Sequence, residues 1–140
     1  MFARSVRISL AAVGAAAALA SGIGSAAAAP APSPEQLQST LDRFTDPGVP
    51  TADKTRLMVG GDQRASNIDT MTSKLGGYGH IGWGVSGVQV DGDNANASVA
   101  ISSPHGTMPG VPMSWQYVDG GWRLSESTGC MILGLGKAPC

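Results

Sequence analysis

The periodicity of the apolar residues changes near residue 81, and this change limits the folds open to the chain. Before it, apolar side chains recur three or four residues apart, as in Leu37, Leu41 and Phe44, which is the spacing of one helix face. From Ile81 onward they alternate with glycine or polar residues, which is typical of strands. Helices followed by strands predict an α+β domain, in which N-terminal helices cover the concave face of a curved antiparallel sheet of about four strands.

Local signals place the helices. Ser33 followed by Pro34 and Gln36 has the composition of a capping box with proline in the first turn. Asp46-Pro47 ends this helix, because proline disfavours helical geometry in the residue before it. A brief second helix, capped by Thr51, is predicted to run through residues 57–59, and a third is predicted over about 64–75.

The strands are bounded by turn residues. A one-residue slip in the alternation at Ser86-Gly87 predicts a bulge in the first strand, and residues 91–94 supply a hairpin turn. Residues 103–112 are rich in glycine and proline and are predicted to be a loop containing His105. The third strand then presents three large side chains on one face: Met113, Trp115 and Tyr117.

The first 28 residues have the pattern of an export signal. Arg4 and Arg7 precede an alanine-rich apolar segment, and Ala26 and Ala28 satisfy the small-residue rule for cleavage after Ala28, with Ala27 as the near alternative. We expect residues 29–32 to form a flexible leader and residues 33–140 to form a single secreted domain. No second run of about 18 apolar residues follows, so the mature chain is expected to lack a membrane span.

Export makes the two cysteines interpretable. Cys130 and Cys140 are the only cysteines, and in an oxidising compartment a disulfide is the simplest interpretation. Closing this short loop would stabilise the fold by about 2.8 kcal/mol. A catalytic thiol or half of a metal site are the alternatives, although two cysteines without a nearby histidine make a poor tetrahedral shell. Residues 125–136 are predicted to form a short buried helix or turn, weakened by interior glycines.

Charge and motif spacing argue against several functions. Nine basic and ten acidic side chains give a formal charge of −1, which provides no basic surface for nucleic acid. His80 and His105 have no spaced carboxylate or thiolate to complete a metal shell, so no metal is predicted. Asp91 and Asp93 resemble the start of a calcium loop, but the later ligands are missing and a hairpin turn fits better.

Turn and core residues in several stretches have a family pattern. They are Leu37 and Leu41, Asp46-Pro47-Gly48-Val49, Lys54, Leu57, Gly60-Gly61 and Gly120-Gly121-Trp122-Arg123-Leu124-Ser125. Over residues 33–133 the sequence resembles the low-molecular-weight secreted T-cell antigens of mycobacteria and related actinobacteria. The resemblance implies an extracellular or cell-envelope protein with a cystatin-like or nuclear-transport-factor-2-like fold and no established catalytic activity. The glycine-rich tail with its two cysteines departs from that pattern.

Three functional hypotheses follow. The first is a non-catalytic secreted domain without a cofactor, whose surface or pocket binds a small apolar ligand or host immune receptors and antibodies. The second is a carrier whose pocket is lined by Trp83, Trp115 and Tyr117, although large aromatic side chains can also simply fill a core. The third is an isomerase or dehydratase with Asp69 or His80 as the base, which rests on fold analogy alone.

Overall fold

The computed structural model describes residues 29–140. The predicted signal peptide, residues 1–28, lies outside the described residues. The elements are α1 (Pro34–Thr45), α2 (Thr51–Lys54), a 3₁₀ turn (Gly61–Arg64), α3 (Ala65–Gly76), β1 (Gly82–Asp91), β2 (Asn94–Ser103), β3 (Gly106–Val118), β4 (Gly121–Leu124) and α4 (Glu126–Leu135). Helices precede the four strands, which confirms the predicted α+β class.

Helix α1 begins as the sequence predicts. The Ser33 hydroxyl accepts a hydrogen bond from the Gln36 N–H at 3.1 Å, and the Gln36 side chain accepts one from the Ser33 N–H at 2.9 Å, which completes the capping box. The helix ends at Thr45, and Asp46 before Pro47 is extended. Its apolar stripe is fully buried and consists of Leu37, Leu41 and Phe44.

Helix α2 is shorter than the sequence predicts, and Thr51 is not its cap. Pro50 precedes it without a side-chain hydrogen bond, and the Thr51 hydroxyl donates to the Asp69 carboxylate on α3 instead. Residues 57–59 leave the helix and run parallel to Leu124. The backbone oxygen and nitrogen of Leu124 are both bonded to this segment, at 2.8 and 2.7 Å. The segment therefore covers the outer edge of β4, and this pairing outweighs the helical spacing of its apolar residues.

The sheet is antiparallel, curved and ordered β1-β2-β3-β4. Cross-strand partners include Trp83 with Ile101 and Ala97 with Met113. The register of β1 on β2 shifts between Ser86 and Gln89, which confirms the predicted bulge.

The predicted loop over residues 103–112 is wrong for most of its length. Strand β3 already begins at Gly106, so β2 and β3 form a tight hairpin around His105. Prolines are expected to break a central strand because they cannot donate to the ladder. Strand β4 pairs with β3 only from Trp115 onward, so the first half of β3 has a strand on one side only and tolerates Pro109 and Pro112.

Two tryptophans join the sheet to α1. The Trp115 indole N–H donates to the Thr40 hydroxyl at 2.8 Å, and the Trp83 indole N–H donates to the Thr45 hydroxyl at 3.0 Å. Trp115 is fully buried and lies at the centre of the core. The space between α1 and the sheet is therefore filled at this level.

Helix α4 forms regularly despite its glycines. Gly129 lies so close to Met58 that a Cβ atom would come within 2.5 Å of that side chain, so close packing explains why glycine is tolerated there. Cys130 and Cys140 are joined in a disulfide, with Cα atoms 5.5 Å apart. The Asn67 amide of α3 also donates to two backbone oxygens of the last residues, at 3.0 and 3.3 Å. The disulfide thus ties the tail to α4, and the Asn67 hydrogen bonds tie it to α3.

Candidate functional site: a half-open apolar cavity

A cavity of about 550 Å³ lies at the end of the fold where α1 stops. It is bounded by the last residue of α1, the segment after α3, the β2–β3 hairpin, the start of β1 and the end of α4. Much of its wall is apolar and comes from Leu75, Ile81, Trp83, Ile101, Ile132 and Leu135. Helix α1 stops at Thr45, whereas β2 and β3 continue to their hairpin, so Trp83 and Ile101 of the sheet face the cavity together with Ile132 of α4.

A close approach of two loops shapes one side of the mouth. Gly79 has a φ of +109°, and a Cβ atom there would lie 2.7 Å from the ring of Pro104, so any larger residue would push the loops apart. This approach brings the rings of Tyr78 and His105 to a centroid distance of 4.8 Å. Both side chains line the cavity.

Large apolar side chains are exposed around this mouth. Tyr78, Met108 and Leu135 are 42%, 50% and 53% exposed, and all three line the cavity. In the described part of the chain one further large apolar residue, Val90, is similarly exposed at 43%. Clustered exposed apolar surface is a common property of binding sites, whereas single exposed residues are ordinary.

The polar groups of the cavity differ with depth. Thr45, which is buried, already accepts from Trp83 and donates to the Leu41 carbonyl at 2.9 Å. Ser103 at the hairpin accepts from the His105 N–H and donates to the Gly106 carbonyl. The hydroxyls of Tyr78 and Thr107 make no hydrogen bond to the residues that the structure describes.

The charge at the mouth is positive. Lys137 lines the cavity, and the lining residues that the structure describes include no aspartate or glutamate. The ion pairs formed within residues 29–140 lie elsewhere, at Arg64 with Glu126 and at Arg123 with Asp119. Lys137 has a φ of +63°, a left-handed conformation that favours glycine.

The structure separates the three side chains that the sequence grouped in a pocket. Trp83 lines the cavity, but Trp115 and Tyr117 do not. Trp115 is enclosed against α1, and Tyr117 packs beside Trp122 with ring centroids 5.4 Å apart. Sequence reasoning missed Tyr78, Met108, Leu135 and Lys137. Met108 lay in a predicted loop and Leu135 in a helix predicted to be buried, so no alternation indicated their exposure.

The residues needed by the enzyme hypothesis lie outside the cavity lining. Asp69 accepts a hydrogen bond from Thr51, and His80 is exposed. Partial burial raises the pKa of the Asp42 carboxyl, and the charge of His80 opposes this rise. Within residues 29–140 no three His, Cys, Asp or Glu side chains are grouped closely enough to hold a metal, and both cysteines are in the disulfide.

A second depression, of about 610 Å³, lies across β1, β2, β3 and α4. Its polar lining includes Gln89, Asn96, Ser98 and Ser127. It has neither the apolar rim nor the cation of the first cavity. The first cavity is therefore the better candidate for a ligand with an apolar part.

These features define an α+β domain with a half-open apolar cavity, and comparisons with known proteins place it in a family. The family described as "Low molecular weight antigen MTB12, C-terminal domain" matches residues 30–140. The chain therefore belongs to this family, which confirms the resemblance seen in the sequence.

The chain also resembles two curated proteins at low sequence identity. The chain is 28% identical over 113 residues to the protein named "Putative lipoprotein LppK" from two strains of Mycobacterium tuberculosis, a match that covers 75% of this chain and 60% of the relative. It thus spans less than two thirds of their length. A crystal structure of a de novo designed protein with a curved β-sheet is similar over 74% of this chain and 99% of that chain, with 14% identity and a TM-score of 0.34. No helix in the described part of the chain is long and apolar enough to cross a bilayer.

Proposed function

We propose that this protein is an exported, non-catalytic binding protein that carries a small apolar molecule in the cavity at the end of α1. The observation that carries the proposal is the cavity itself, about 550 Å³ in volume with an apolar wall and an exposed apolar rim. Small-molecule sites typically measure roughly 300–1,000 Å³ and combine an apolar wall with a few polar groups.

Family membership supports an extracellular or cell-envelope setting. The family is named for an antigen, and the relative's name describes a lipoprotein. Both names fit the export signal that residues 1–28 predict. Outside the cell, the protein would be exposed to host antibodies and immune receptors. Binding of a small apolar molecule needs no cofactor.

The hydrogen bonding of the cavity supports binding rather than catalysis. The hydroxyls of Ser103 and Thr45 are candidate nucleophiles, and each already donates one hydrogen bond and accepts another. An activated nucleophile needs a base within hydrogen-bond reach. Neither hydroxyl has a side-chain base as its partner among the described residues.

Tryptophan fluorescence and thermal unfolding with decanol test the proposal. Trp83 lines the cavity, so decanol should change the indole emission and raise the melting temperature of the purified protein. At a free ligand concentration 100 times Kd, the stabilisation is about 2.7 kcal/mol. The absence of both effects up to the solubility limit of decanol would overturn the proposal.

Matched variants assign the effect to the cavity. Trp83→Phe should remove the emission change while keeping the thermal shift, and Trp122→Phe, outside the lining, should keep both. Met108→Ser should weaken decanol binding several-fold, because it removes apolar contact at the rim. Val90→Ser changes an equally exposed apolar residue away from the cavity and should have no effect. Equal effects of the two serine variants would contradict the assignment.

A further inference from the structure

We infer that the ligand is a single-chain amphiphile with a carboxylate head, whose tail enters the cavity and whose head stays at the mouth beside Lys137. The inference rests on the proposed function and goes further by naming the chemical class of the ligand. It depends on how polarity and charge are arranged between the floor and the mouth.

The floor of the cavity offers a ligand almost no free hydrogen-bond donors. Ile101, Ile132 and Trp83 supply apolar surface there. The buried hydroxyl of Thr45 donates a hydrogen bond to the Leu41 carbonyl and accepts one from the Trp83 indole N–H. A polar group placed here would lose its hydration without gaining a donor, which is costly. The floor therefore fits an alkyl chain.

The mouth offers donors. The ammonium group of Lys137 and the hydroxyls of Tyr78 and Thr107 line it, and none of them is bonded to the residues described in the structure. The Tyr78 and His105 rings close one side at a centroid distance of 4.8 Å. An acceptor-only group such as a carboxylate can use several donors at once, and hydrogen bonds to a charged acceptor are the stronger kind.

The charge of the cavity lining favours a negatively charged head group on the ligand. No carboxylate lies among the lining residues that the structure describes, and Lys137 has none within 4.0 Å in residues 29–140. An anionic head therefore gains an unpaired cation without displacing an existing partner. A cationic head would face Lys137 directly and find no counter-charge.

The backbone at position 137 suits glycine better than lysine. Lys137 is exposed and adopts a φ of +63°, where a lysine is disfavoured relative to glycine. Residues kept in disfavoured backbone conformations occur preferentially at functional sites. This observation supports the charge argument.

Three probes built on a ten-carbon chain test the head: decanoate, decanol and decyltrimethylammonium. We expect decanoate to bind about two to five times more tightly than decanol, the upper range for a partly exposed ion pair, and the cation to bind most weakly. Equal affinities for decanoate and decanol would overturn the inference and leave the proposed function standing. Failure of all three to bind would overturn the proposed function itself.

Charge variants assign the selectivity to one side chain. Lys137→Glu should weaken decanoate about tenfold and decanol less than twofold. Lys74→Glu makes the same charge change on an exposed lysine outside the lining and should leave both affinities within twofold. Lys137→Gly suits the backbone at this position, so loss of decanoate preference in a folded Lys137→Gly protein would support the inference even if the glutamate variant unfolds. Decanoate preference unchanged in both Lys137 variants would overturn it.

A second copy of this chain is the competing occupant of the apolar rim. Sedimentation velocity over a range of protein concentrations distinguishes it. We expect a concentration-independent monomer that binds decanoate. A dimer that Leu135→Ser dissociates, together with no decanoate binding, would assign the rim to a second copy of this chain and overturn the inference.

Discussion

The middle and the last turn of helix α1 differ in how they close over the sheet. Near its middle, Thr40 accepts the indole N–H of Trp115, and at its last residue, Thr45 accepts that of Trp83. The two pairs have the same chemistry and similar distances. Trp115 is fully enclosed, whereas Trp83 borders a cavity of about 550 Å³.

The difference comes from the length of the helix rather than from the strands. Asp46-Pro47 ends α1, while β2 and β3 continue to the hairpin at Ser103–Gly106. The apolar face of the sheet therefore extends beyond the helix that covers it. The filled region under the middle of α1 supplies stability, and the region beyond the last residue of α1 is available for binding.

The largest expected effect separates the two tryptophans. Trp115→Ala should cost about 3–5 kcal/mol of unfolding free energy, because an enclosed core site cannot collapse around the void. Trp83→Ala should cost clearly less, because the space left behind joins a cavity that water already reaches. Urea denaturation of both variants measures the difference. Equal losses would mean that the end of α1 is as tightly packed as its middle.

Removal of the disulfide tests whether the tethered tail is needed to form the cavity wall. Cys130→Ser combined with Cys140→Ser should cost about 2.8 kcal/mol, the loop-closure entropy of this short ring. It should also weaken decanol binding, because Gly136 and Lys137 line the cavity and belong to the tethered tail. Asn67→Ala removes only the hydrogen bonds to the tail and should cost about 0.5–1.5 kcal/mol. Calorimetric melting of the three proteins tests this order, which a negligible effect of the double serine variant would contradict.

Lys54 lies outside the cavity lining and gives a prediction about how stability depends on pH. Its side chain is fully buried and donates to the Thr72 hydroxyl at 2.9 Å. Burial lowers the pKa of Lys54 from its ordinary value of 10.5, and the charge of Asp46 partly opposes this. Between the lowered pKa and 10.5 the unfolded chain binds more protons than the folded one, so stability rises with pH in that window.

Lys54→Met should remove this rise. At neutral pH the variant should be at least as stable as the parent, because a buried charge is replaced by an apolar side chain of similar length. The parent should gain stability relative to the variant as the pH increases through the window. Urea titrations at matched pH values measure the gain, and a parent that loses stability relative to the variant would show that the buried ammonium is stabilising.

The smallest expected effect concerns the backbone at the mouth. Lys137→Gly should raise the free energy of unfolding by a few tenths to about 1 kcal/mol, because glycine adopts a positive φ without steric cost. Asp119 has a φ of +51° and lies outside the cavity lining, so Asp119→Gly is the matched control for stability. Thermal melts of both glycine variants measure the two changes in stability. A destabilised Lys137→Gly protein would show that the lysine side chain itself holds the tail in place.

The sequence predicted the features that local chemistry specifies. The capping box at Ser33, the bulge after Ser86 and the disulfide pair each depend on neighbouring residues or on a compartment. The early start of β3 could not be predicted, because Pro109 and Pro112 disfavour a strand unless one side of it is unpaired. That condition depends on where β4 ends, which is a property of the assembled sheet.

The site was predictable only in part for the same reason. Alternation places Trp83 and Trp115 on the same face of their strands, but it does not tell how far a helix from elsewhere in the chain will cover that face. Leu135 belongs to an apolar run that is typical of a buried helix, yet it is 53% exposed at the end of α4. Such exposure is decided by tertiary packing, so no local signal carried it.

The central claim is that an apolar chain occupies the cavity at the uncovered end, and isoleucine methyl NMR tests it most directly. In the described part of the chain Ile81, Ile101 and Ile132 line the cavity, whereas Ile68 is fully buried in the core away from it. Titration with decanoate should shift the δ1-methyl resonances of the first three and leave that of Ile68 unchanged. No shift at any of them, or an equal shift at Ile68, would contradict the claim.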